Sequence, residues 1–477
     1  MKRTKIIATI GPVSENEKIL QEMIKEGMNI VRLNFSHGDF AWHKKIIRRI
    51  RDLSKKTGIP VGIMADLQGP RIRVGDGKEL AVKKGETVWV ASCNENKKSA
   101  AKKAKMFQID LTGVVRLVKP GLEILVEDGL IKFKVVGKNA NALKCVALND
   151  GIVKPRKGVN IPGISRTLAA LTEQDKKTLD FSLKQDVDFV AMSFVRTAGE
   201  IQQLKRLIKK KTGRRQSFAQ VVAKIERKEA VKNFDEILKA TDAVMVARGD
   251  LGIEMPQASL PILQKEIIAK CLRYGKPVIV ATQMLDSMIH NPRPTRAEIS
   301  DVSNAVVDHA DAVMLSGESA TGKYPVEAVR TMREIIEKTE ESPFDDLIHG
   351  FLGDKNSSVS AAVAQSAHEL LKDSGAAAIV VASVSGFTAR MVARHRPEQK
   401  ILVITNNKKT HNQLTLIWGA ESFVLQDCAT LEELIDGALG LIKKQKLVKK
   451  GEKVIIVAGR PHVAREHMSL VKVEEIR

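Results

Sequence analysis

Aromatic side chains are scarce: two tyrosines and three tryptophans occur in 477 residues, and aromatics make up 4% of the chain. None is interleaved with the lysine and arginine runs at 44–56, 205–215 and 443–453. The stacking platforms that single-strand nucleic-acid binders combine with positive charge are therefore missing. Cysteine is also rare. Cys93, Cys145, Cys271 and Cys428 are scattered and form no CxxC pair, which argues against a disulfide framework and against a zinc site. No apolar stretch approaches the roughly 20 residues a membrane helix needs. The opening Met1-Lys2-Arg3-Thr4-Lys5 runs into a strand pattern with neither an apolar h-region nor a small-residue cleavage site. These absences predict a soluble protein of a reducing, cytoplasmic compartment, with no membrane partner.

Acidic residues are outnumbered, 56 against 78 lysines and arginines, for a net charge of +22. Two readings compete: a nucleic-acid surface, or solvated faces of amphipathic helices. Along Lys44-Lys45-Ile46-Ile47-Arg48-Arg49-Ile50-Arg51-Asp52-Leu53 apolar residues recur at helical spacing and charge fills the rest, as a surface helix requires. Solvated faces are favoured, with no specific nucleic-acid partner, and the excess charge helps to steer anions.

The length fits about three domains. Strand runs are expected at Lys5–Ile10, Asn29–Asn34, Val61–Asp66, Asp188–Ser193, Ala219–Lys224, Ala243–Ala247, Pro277–Ala281 and Ala312–Leu315, and all but the third are followed by a helical pattern. Thr295 with Glu298 three residues on is a helix-start signal. Strand–helix units in this number predict a TIM (β/α)8 barrel, an α/β fold whose chemistry lies at the C-terminal strand ends. The third unit is interrupted from Pro70 to Leu171 by period-two strands such as Thr87–Val90 and Ile131–Val135, which predict an inserted small β-barrel acting as a lid. After a linker at Pro343–Lys355, strands at Ala377–Ala382, Lys400–Thr405 and Lys453–Ala458 predict a C-terminal α/β domain. The expected boundaries are 1–69 and 172–341 for the barrel, 70–171 for the insert and 342–477 for the C-terminal regulatory and oligomerisation domain.

Charge sits where burial makes it expensive. Ala223-Lys224-Ile225-Glu226 and Val246-Ala247-Arg248-Gly249-Asp250-Leu251-Gly252 each end an apolar, β-branched run, so a lysine and two carboxylates ride on the ends of buried strands. A divalent cation between Glu226 and Asp250, with Lys224 beside it, suits an anionic, oxygen-rich transition state. The alternatives are a structural ion pair of either carboxylate with Arg248 or Arg32, and a snorkelling Lys224. Gly317-Glu318-Ser319-Ala320-Thr321-Gly322-Lys323 has P-loop spacing, but Tyr324 and Pro325 follow where the helix should donate its amides, and it is rejected.

Several motifs in order resemble the pyruvate kinase family along the whole chain: Thr4–Pro12, Gly27–Gly38, Lys224–Glu226, Met245–Gly252, Ala281–Leu285, Asn291–Glu298 and Met314–Glu318. The resemblance implies phosphoryl transfer from phosphoenolpyruvate to ADP, giving pyruvate and ATP. It implies Mg2+, or Mn2+, held by Glu226 and Asp250. Lys224 would neutralise the phosphoryl group and the enolate oxygen, and Arg32 and Arg73 would clamp the phosphoryl group. The Gly249 and Asp250 amides would receive the substrate carboxylate. Thr282 would bind that carboxylate and end a proton relay through water; its alternative is a strand-end threonine bonded to backbone. Asn34, Ser36 and His37 resemble phosphate, cation and nucleotide contacts, His37 being otherwise an exposed loop histidine. Arg73 and Asn34 would also touch the nucleotide, and Ser316 and Glu318 resemble supporting residues. The family likeness also implies a homotetramer.

Two departures stand out. Potassium-requiring members carry Asp-Thr-Lys-Gly-Pro-Glu where this chain has Asp66-Leu67-Gln68-Gly69-Pro70-Arg71, beside a monovalent-cation site resembling Asn34, Ser36, Asp66 and the carbonyl of Leu67. Arg71 would supply potassium's charge internally. Two like charges about 4 Å apart repel by about 4 kcal/mol at an effective dielectric of about 20, so potassium-independent activity is expected; otherwise Arg71 points to solvent in the hinge. Ser383, Ser385, Gly386 and Thr388 resemble an effector-phosphate loop, but Val384 and Phe387 stand where fructose-bisphosphate-activated members have basic residues. The last loop, Gly459–Glu466, lacks their glycine-rich pattern. A monophosphate effector is the remaining expectation. Competing with a pyruvate kinase are a Mg2+-dependent TIM-barrel lyase or aldolase acting on pyruvate enolates, and a catalytically idle regulatory protein.

Overall fold

Alternation of apolar side chains along short parallel strands builds the larger part of the chain. The computed structural model describes residues 2–93, 104–127, 129–164, 169–213, 218–346, 358–425, 430–459 and 468–477. Strands β1 (Lys5–Thr9), β2 (Met28–Asn34), β3 (Gly62–Asp66), β4 (Phe189–Met192), β5 (Gln220–Ile225), β6 (Ala243–Ala247), β7 (Val278–Ala281) and β8 (Ala312–Leu315) close a parallel barrel in sequence order, β8 pairing back onto β1. Along each strand one set of side chains fills the interior, among them Ile7, Ile30, Met64 and Val222. The other set, among them Ile6, Val31, Ile63 and Val221, packs beneath the surrounding helices. Both faces are dry, as the near-continuous apolar runs require.

Two of the three basic runs fall on surface helices; in the third, Lys443 and Lys444 end the helix Leu431–Lys444, and Lys446, Lys449 and Lys450 lie beyond it, ahead of the strand Lys453–Ala458. Helix Phe40–Thr57 is capped by Asp39, which accepts from Trp42 N at 2.7 Å, and ends at Gly58 with φ 70°. It buries His43, Ile46, Ile47, Ile50 and Leu53 and leaves its lysines to solvent. Helix Ala198–Thr212 does the same with Ile201, Leu204 and Ile208; residues 214 and 215 of that run lie outside the described residues. The expected start at Thr295 is a complete capping box. Tyr324 follows Lys323 as N-cap and Pro325 then begins the helix Pro325–Glu340, which is why the P-loop spacing there makes no P-loop.

After β3 the chain leaves the barrel for a seven-stranded sheet, ordered Ile72–Arg73, Gly158–Asn160, Glu123–Val126, Ile131–Lys138, Ala142–Ala147, Thr87–Ser92 and Met106–Ile109. A single bridge, Val74 to Ile109, brings its two edges together, so the insert is a nearly closed barrel with its own core around Phe133 and Val88.

A five-stranded sheet forms the C-terminal part, ordered β11 (Ala420–Val424), β10 (Lys400–Thr405), β9 (Ala378–Ala382), β12 (Lys453–Ala458) and the antiparallel edge β13 (Leu470–Glu475). Strands β11 and β13 extend the three expected from sequence. Their Ala-Glu-Ser-Phe-Val and Leu-Val-Lys-Val-Glu-Glu lack the apolar run of a central strand, because edge strands carry charge. This sheet packs under the N-terminal end of the barrel: Leu416 joins the barrel's interior core, and Arg396 pairs with Asp311 at 3.1 Å and donates to the His309 carbonyl at 2.6 Å. Residues 347–355 of the expected linker and 460–466 of the last loop lie outside the described residues, as does Cys428. Among the described residues no helix is long and apolar enough to cross a membrane.

Candidate active site

The period-two pattern that fills the barrel ends in a polar layer. Two residues beyond the interior side chains Ile7, Ile30, Met64 and Val222 come Thr9, Arg32, Asp66 and Lys224, on the same inward face at the C-terminal strand ends. Asp66 is the hub and is 1% exposed. Its Oδ2 accepts from Arg32 Nε at 2.7 Å and pairs with Nη2 at 2.6 Å, while Lys224 Nζ lies 3.2 and 3.3 Å from its two oxygens. Burial alone would raise the Asp66 carboxyl; Lys224 and Arg32 outweigh it and hold the group below the usual carboxylate range. Arg32 Nη1 also donates to Thr9 Oγ1 at 3.0 Å, and that hydroxyl donates to the Leu315 carbonyl at 2.9 Å.

Lys224 Nζ also reaches Glu226 Oε1 at 2.9 Å and donates to Ser193 Oγ at 2.8 Å. Burial works against its charge, but the carboxylates of Asp66 and Glu226 more than compensate and raise it. A snorkelling surface lysine is therefore excluded. Glu226 is 1% exposed, and its Oε2 accepts from Phe194 N at 2.6 Å. Phe194 has φ 56° and faces the Arg227 guanidinium at 4.8 Å. Burial raises the Glu226 carboxyl, Lys224 opposes the rise, and the charge of Asp250 adds to it.

Two carboxylates, one almost fully buried, repel each other, and their oxygens are the hard donors Mg2+ or Mn2+ prefers. They supply only two ligands; substrate oxygens and water complete such a shell, as is usual for Mg2+. The residues present fit the ion. Neither carboxylate pairs with Arg248, which binds Asp301 at 2.7 Å instead.

Asp250 lies in the first turn of helix Arg248–Glu254. The Gly249 amide donates to Thr282 Oγ1 at 2.9 Å, and that hydroxyl donates to the Ala281 carbonyl at 2.6 Å. Thr282 and Gln283 follow β7 with φ of 71° and 53°, two successive left-handed residues that are not glycine. Arg248 Nη2 donates to both their carbonyls, at 2.7 and 3.3 Å.

The remaining expected residues divide. Asn34 ends β2 opposite Asp66, and its side chain accepts from Ser36 N at 3.1 Å. The Leu67 carbonyl accepts from Ser193 Oγ at 2.7 Å. Arg71 is half-buried, packs against Gly158 of the insert and lines a cavity together with Asp250, Phe194 and Arg227, so it does not simply extend into solvent. His37 is lowered by burial and then by the charges of Arg73, Arg71 and Arg32, which places three arginines around it. Arg73 is turned toward the insert: its amide donates to Asp110 Oδ1 at 2.5 Å and its Nη1 to the Arg156 carbonyl at 3.3 Å. Glu318 is 1% exposed and accepts from Leu285 N at 3.1 Å and Ser316 N at 2.7 Å, bracing the loops after β7 and β8. Ser383, Ser385, Gly386 and Thr388 lie far along the chain, after β9; Ser383 Oγ accepts from Gly386 N at 3.1 Å and Ser385 Oγ from Phe387 N at 3.4 Å.

Sequence reasoning gave no role to Thr9, Ser193 or Phe194. For Thr9 the signal was available: it stands two residues beyond the interior Ile7, as Arg32 does beyond Ile30. Phe194 acts through its amide, which no residue pattern reveals.

Residues 1–329 match the family model described as pyruvate kinase, barrel domain, and residues 361–474 match pyruvate kinase, alpha/beta domain. A pyruvate kinase of Geobacillus stearothermophilus is 41% identical over 479 residues, covering 100% of this chain and 80% of the relative. One from Clostridium acetobutylicum is 39% identical over 479 residues, with 100% of both chains covered. The crystal structure of a pyruvate kinase from Cryptosporidium parvum superposes with a TM-score of 0.90 at 35% identity, covering 100% of this chain and 96% of that one.

Proposed function

Because the chain belongs to the pyruvate kinase family and is a phosphotransferase of that kind, we propose that it moves the phosphoryl group of phosphoenolpyruvate to ADP without requiring potassium. The observation that carries this reading is Lys224 Nζ held between Asp66 and Glu226, 3.2 and 2.9 Å away, at the mouth of the barrel.

Lys224 is a fixed cation for the phosphoryl and enolate oxygens; Asp66 favours its charge and holds both it and Arg32 in the site. Glu226 and Asp250 are the residues to hold Mg2+ or Mn2+. When bound, that ion neutralises charge on the substrate's carboxylate and phosphoryl group. The Gly249 and Asp250 amides receive the substrate carboxylate, Gly249 exchanging its bond to Thr282 for one to substrate. Thr282 Oγ1 is then free to end a water-mediated proton relay to the enolate carbon. Arg73, Asn34 and His37 are assigned to the nucleotide, the Arg73 guanidinium exchanging the Arg156 carbonyl for it. Residues 1–69 and 172–341 form the catalytic unit in this reading, 70–171 the lid, and 342–477 the regulatory and assembly unit of a cytoplasmic homotetramer.

Arg71 supports potassium independence. Its charge acts on His37 together with those of Arg73 and Arg32, and a permanent guanidinium turned to the site of Asn34, Ser36, Asp66 and the Leu67 carbonyl would supply the monovalent charge and repel an added cation. The effector reading is more limited. Ser383, Ser385, Gly386 and Thr388 offer hydroxyls and amides, with the Arg390 guanidinium beside Gly386 and 5.8 Å from the Phe387 ring, a set that suits a monophosphate better than fructose bisphosphate.

Pyruvate formation from phosphoenolpyruvate and ADP with Mg2+, run in parallel with potassium and with tetramethylammonium, tests the proposal. Equal turnover is expected. Activity in potassium alone discards the role of Arg71 but keeps the enzyme; no activity in either discards the phosphotransfer reading.

A further inference from the structure

Away from the active site, three carboxylates converge where the barrel meets the C-terminal sheet. Asp345 ends the short turn Pro343–Asp345 that follows helix Pro325–Glu340, Asp346 comes next, and Glu398 stands just ahead of β10. One oxygen from each lies within 4.8 Å of the others. Asp346 and Glu398 are exposed, but Asp345 is 6% exposed, and its Oδ1 is buried with no hydrogen-bond partner among the described residues. A buried carboxylate oxygen left unpaired is destabilising, and native structures seldom keep one without a reason.

The neighbouring groups do not supply the missing partner. Arg3 commits its guanidinium to Glu398, with Nη2 at 2.7 Å from Oε2 and 2.9 Å from the carbonyl, and Nη1 at 3.4 Å from Oε1. Its other contact is the Trp418 ring at 5.5 Å. Glu340 is also near, but its oxygens are taken by Arg3 N at 2.7 Å and by Thr4 N and Oγ1 at 2.6 and 2.7 Å. Four carboxylates, those of Asp345, Asp346, Glu340 and Glu398, gather here around the Arg3 guanidinium. The pocket is thus short of positive charge in an otherwise strongly basic chain.

We propose that Asp345, Asp346 and Glu398 bind a divalent, oxygen-preferring cation of the size of Ca2+, which ties the segment leaving the barrel to the loop entering β10. Oxygens this close can share one ion, and Ca2+, with six to eight oxygen ligands at about 2.3–2.6 Å in a flexible arrangement, accepts an irregular set more readily than Mg2+, which demands near-ideal octahedral geometry. Glu398 Oε1, the oxygen Arg3 holds more loosely, is the one available to the ion. The unpaired Oδ1 of Asp345 supplies the buried ligand, and water completes the shell on the exposed side. The site is separate from the Glu226–Asp250 pair and serves as a clasp between domains.

Paramagnetic resonance counting of bound Mn2+ on the full-length protein at pH 8, without phosphoenolpyruvate, tests it. Wild type is expected to bind two Mn2+ per chain, Glu226→Gln one, Glu398→Gln one, and the double variant none, with Ca2+ displacing the ion from the Asp345 site. Glu398→Gln and Asp346→Asn alter exposed side chains, so folding is not at issue, and both should turn over phosphoenolpyruvate as wild type does. Saturating Ca2+ is expected to raise the melting temperature of wild type by about 2–4 °C and leave Glu398→Gln unmoved. A Mn2+ count unchanged by Glu398→Gln and by Asp346→Asn overturns the proposal.

Discussion

Arg248 Nη2 donates to the carbonyl oxygen of Thr282 at 2.7 Å, and the same guanidinium is anchored by Asp301 at 2.7 Å. A helix residue thereby fixes a turn in which Thr282 and Gln283 both have positive φ. The turn sets where Thr282 Oγ1 points, so Arg248 is a positioning residue for the hydroxyl proposed to handle the proton. Arg248→Lys keeps the charge but loses the planar fork that serves Asp301 and two carbonyls together. Turnover is expected to fall by roughly 10²-fold with little change in half-saturating ADP. An equal loss in both parameters, or none, would contradict the assignment.

Lys224→Met removes the cation that Asp66 and Glu226 share. Phosphotransfer is expected to fall by about 10³-fold or more. Leaving buried carboxylates without their partner should also cost about 3–5 kcal/mol of stability, read as a lower denaturation midpoint. Added Mg2+ should recover part of the stability and none of the turnover.

Arg71→Glu tests the internal cation. The variant places a carboxylate in the cavity that Arg71 shares with Asp250, Phe194 and Arg227. Turnover in tetramethylammonium should drop at least tenfold relative to potassium, where wild type shows no difference. A variant equally active in both salts would assign Arg71 a packing role against Gly158.

The interface between barrel and C-terminal sheet carries a pH dependence. His395 is 8% exposed and stacks on His368 with centroids 5.5 Å apart; burial, then Arg394 and His368, lower its pKa to about 3. His309 is lowered to about 4 by burial and by Arg396. Each histidine binds its proton more readily unfolded than folded. The native state is therefore favoured fully above pH 6.5, and stability is lost as pH falls from there toward 3. For His395 the whole interval amounts to on the order of 5 kcal/mol. Denaturant titrations from pH 7.5 to 5 should show this decline, and His395→Gln should flatten it.

Much of this architecture is legible because buried parallel strands advertise themselves. All eight barrel strands coincide with expected runs to within about two residues, since continuous β-branched segments bounded by helices admit few other readings. The same logic places Lys224 and Glu226 at a strand end, where the structure brings them 2.9 Å apart. Strands β11 and β13 escape because edge strands look like loops in composition. Phe194 contributes a backbone amide, and Arg248 finds Asp301 in a helix 53 residues onward. Such pairings depend on tertiary placement and leave no local pattern. The spacing at Gly317–Lys323 shows the converse: a matching pattern fails when Pro325 resets the backbone.

Closure of the barrel through β1 and β8 also imposes an order in time. Thr9 donates to the Leu315 carbonyl across a separation of 306 residues. At about 5–20 residues per second, a ribosome leaves β1 without one neighbour for roughly a quarter of a minute to a minute. The insert, whose sheet pairs only residues 72–160, is complete much earlier. Nascent chains halted shortly after residue 200 should therefore hold a protease-resistant insert and an open, chaperone-dependent barrel, and the first strand of the enzyme becomes structural only when nearly the last of its catalytic residues has been made.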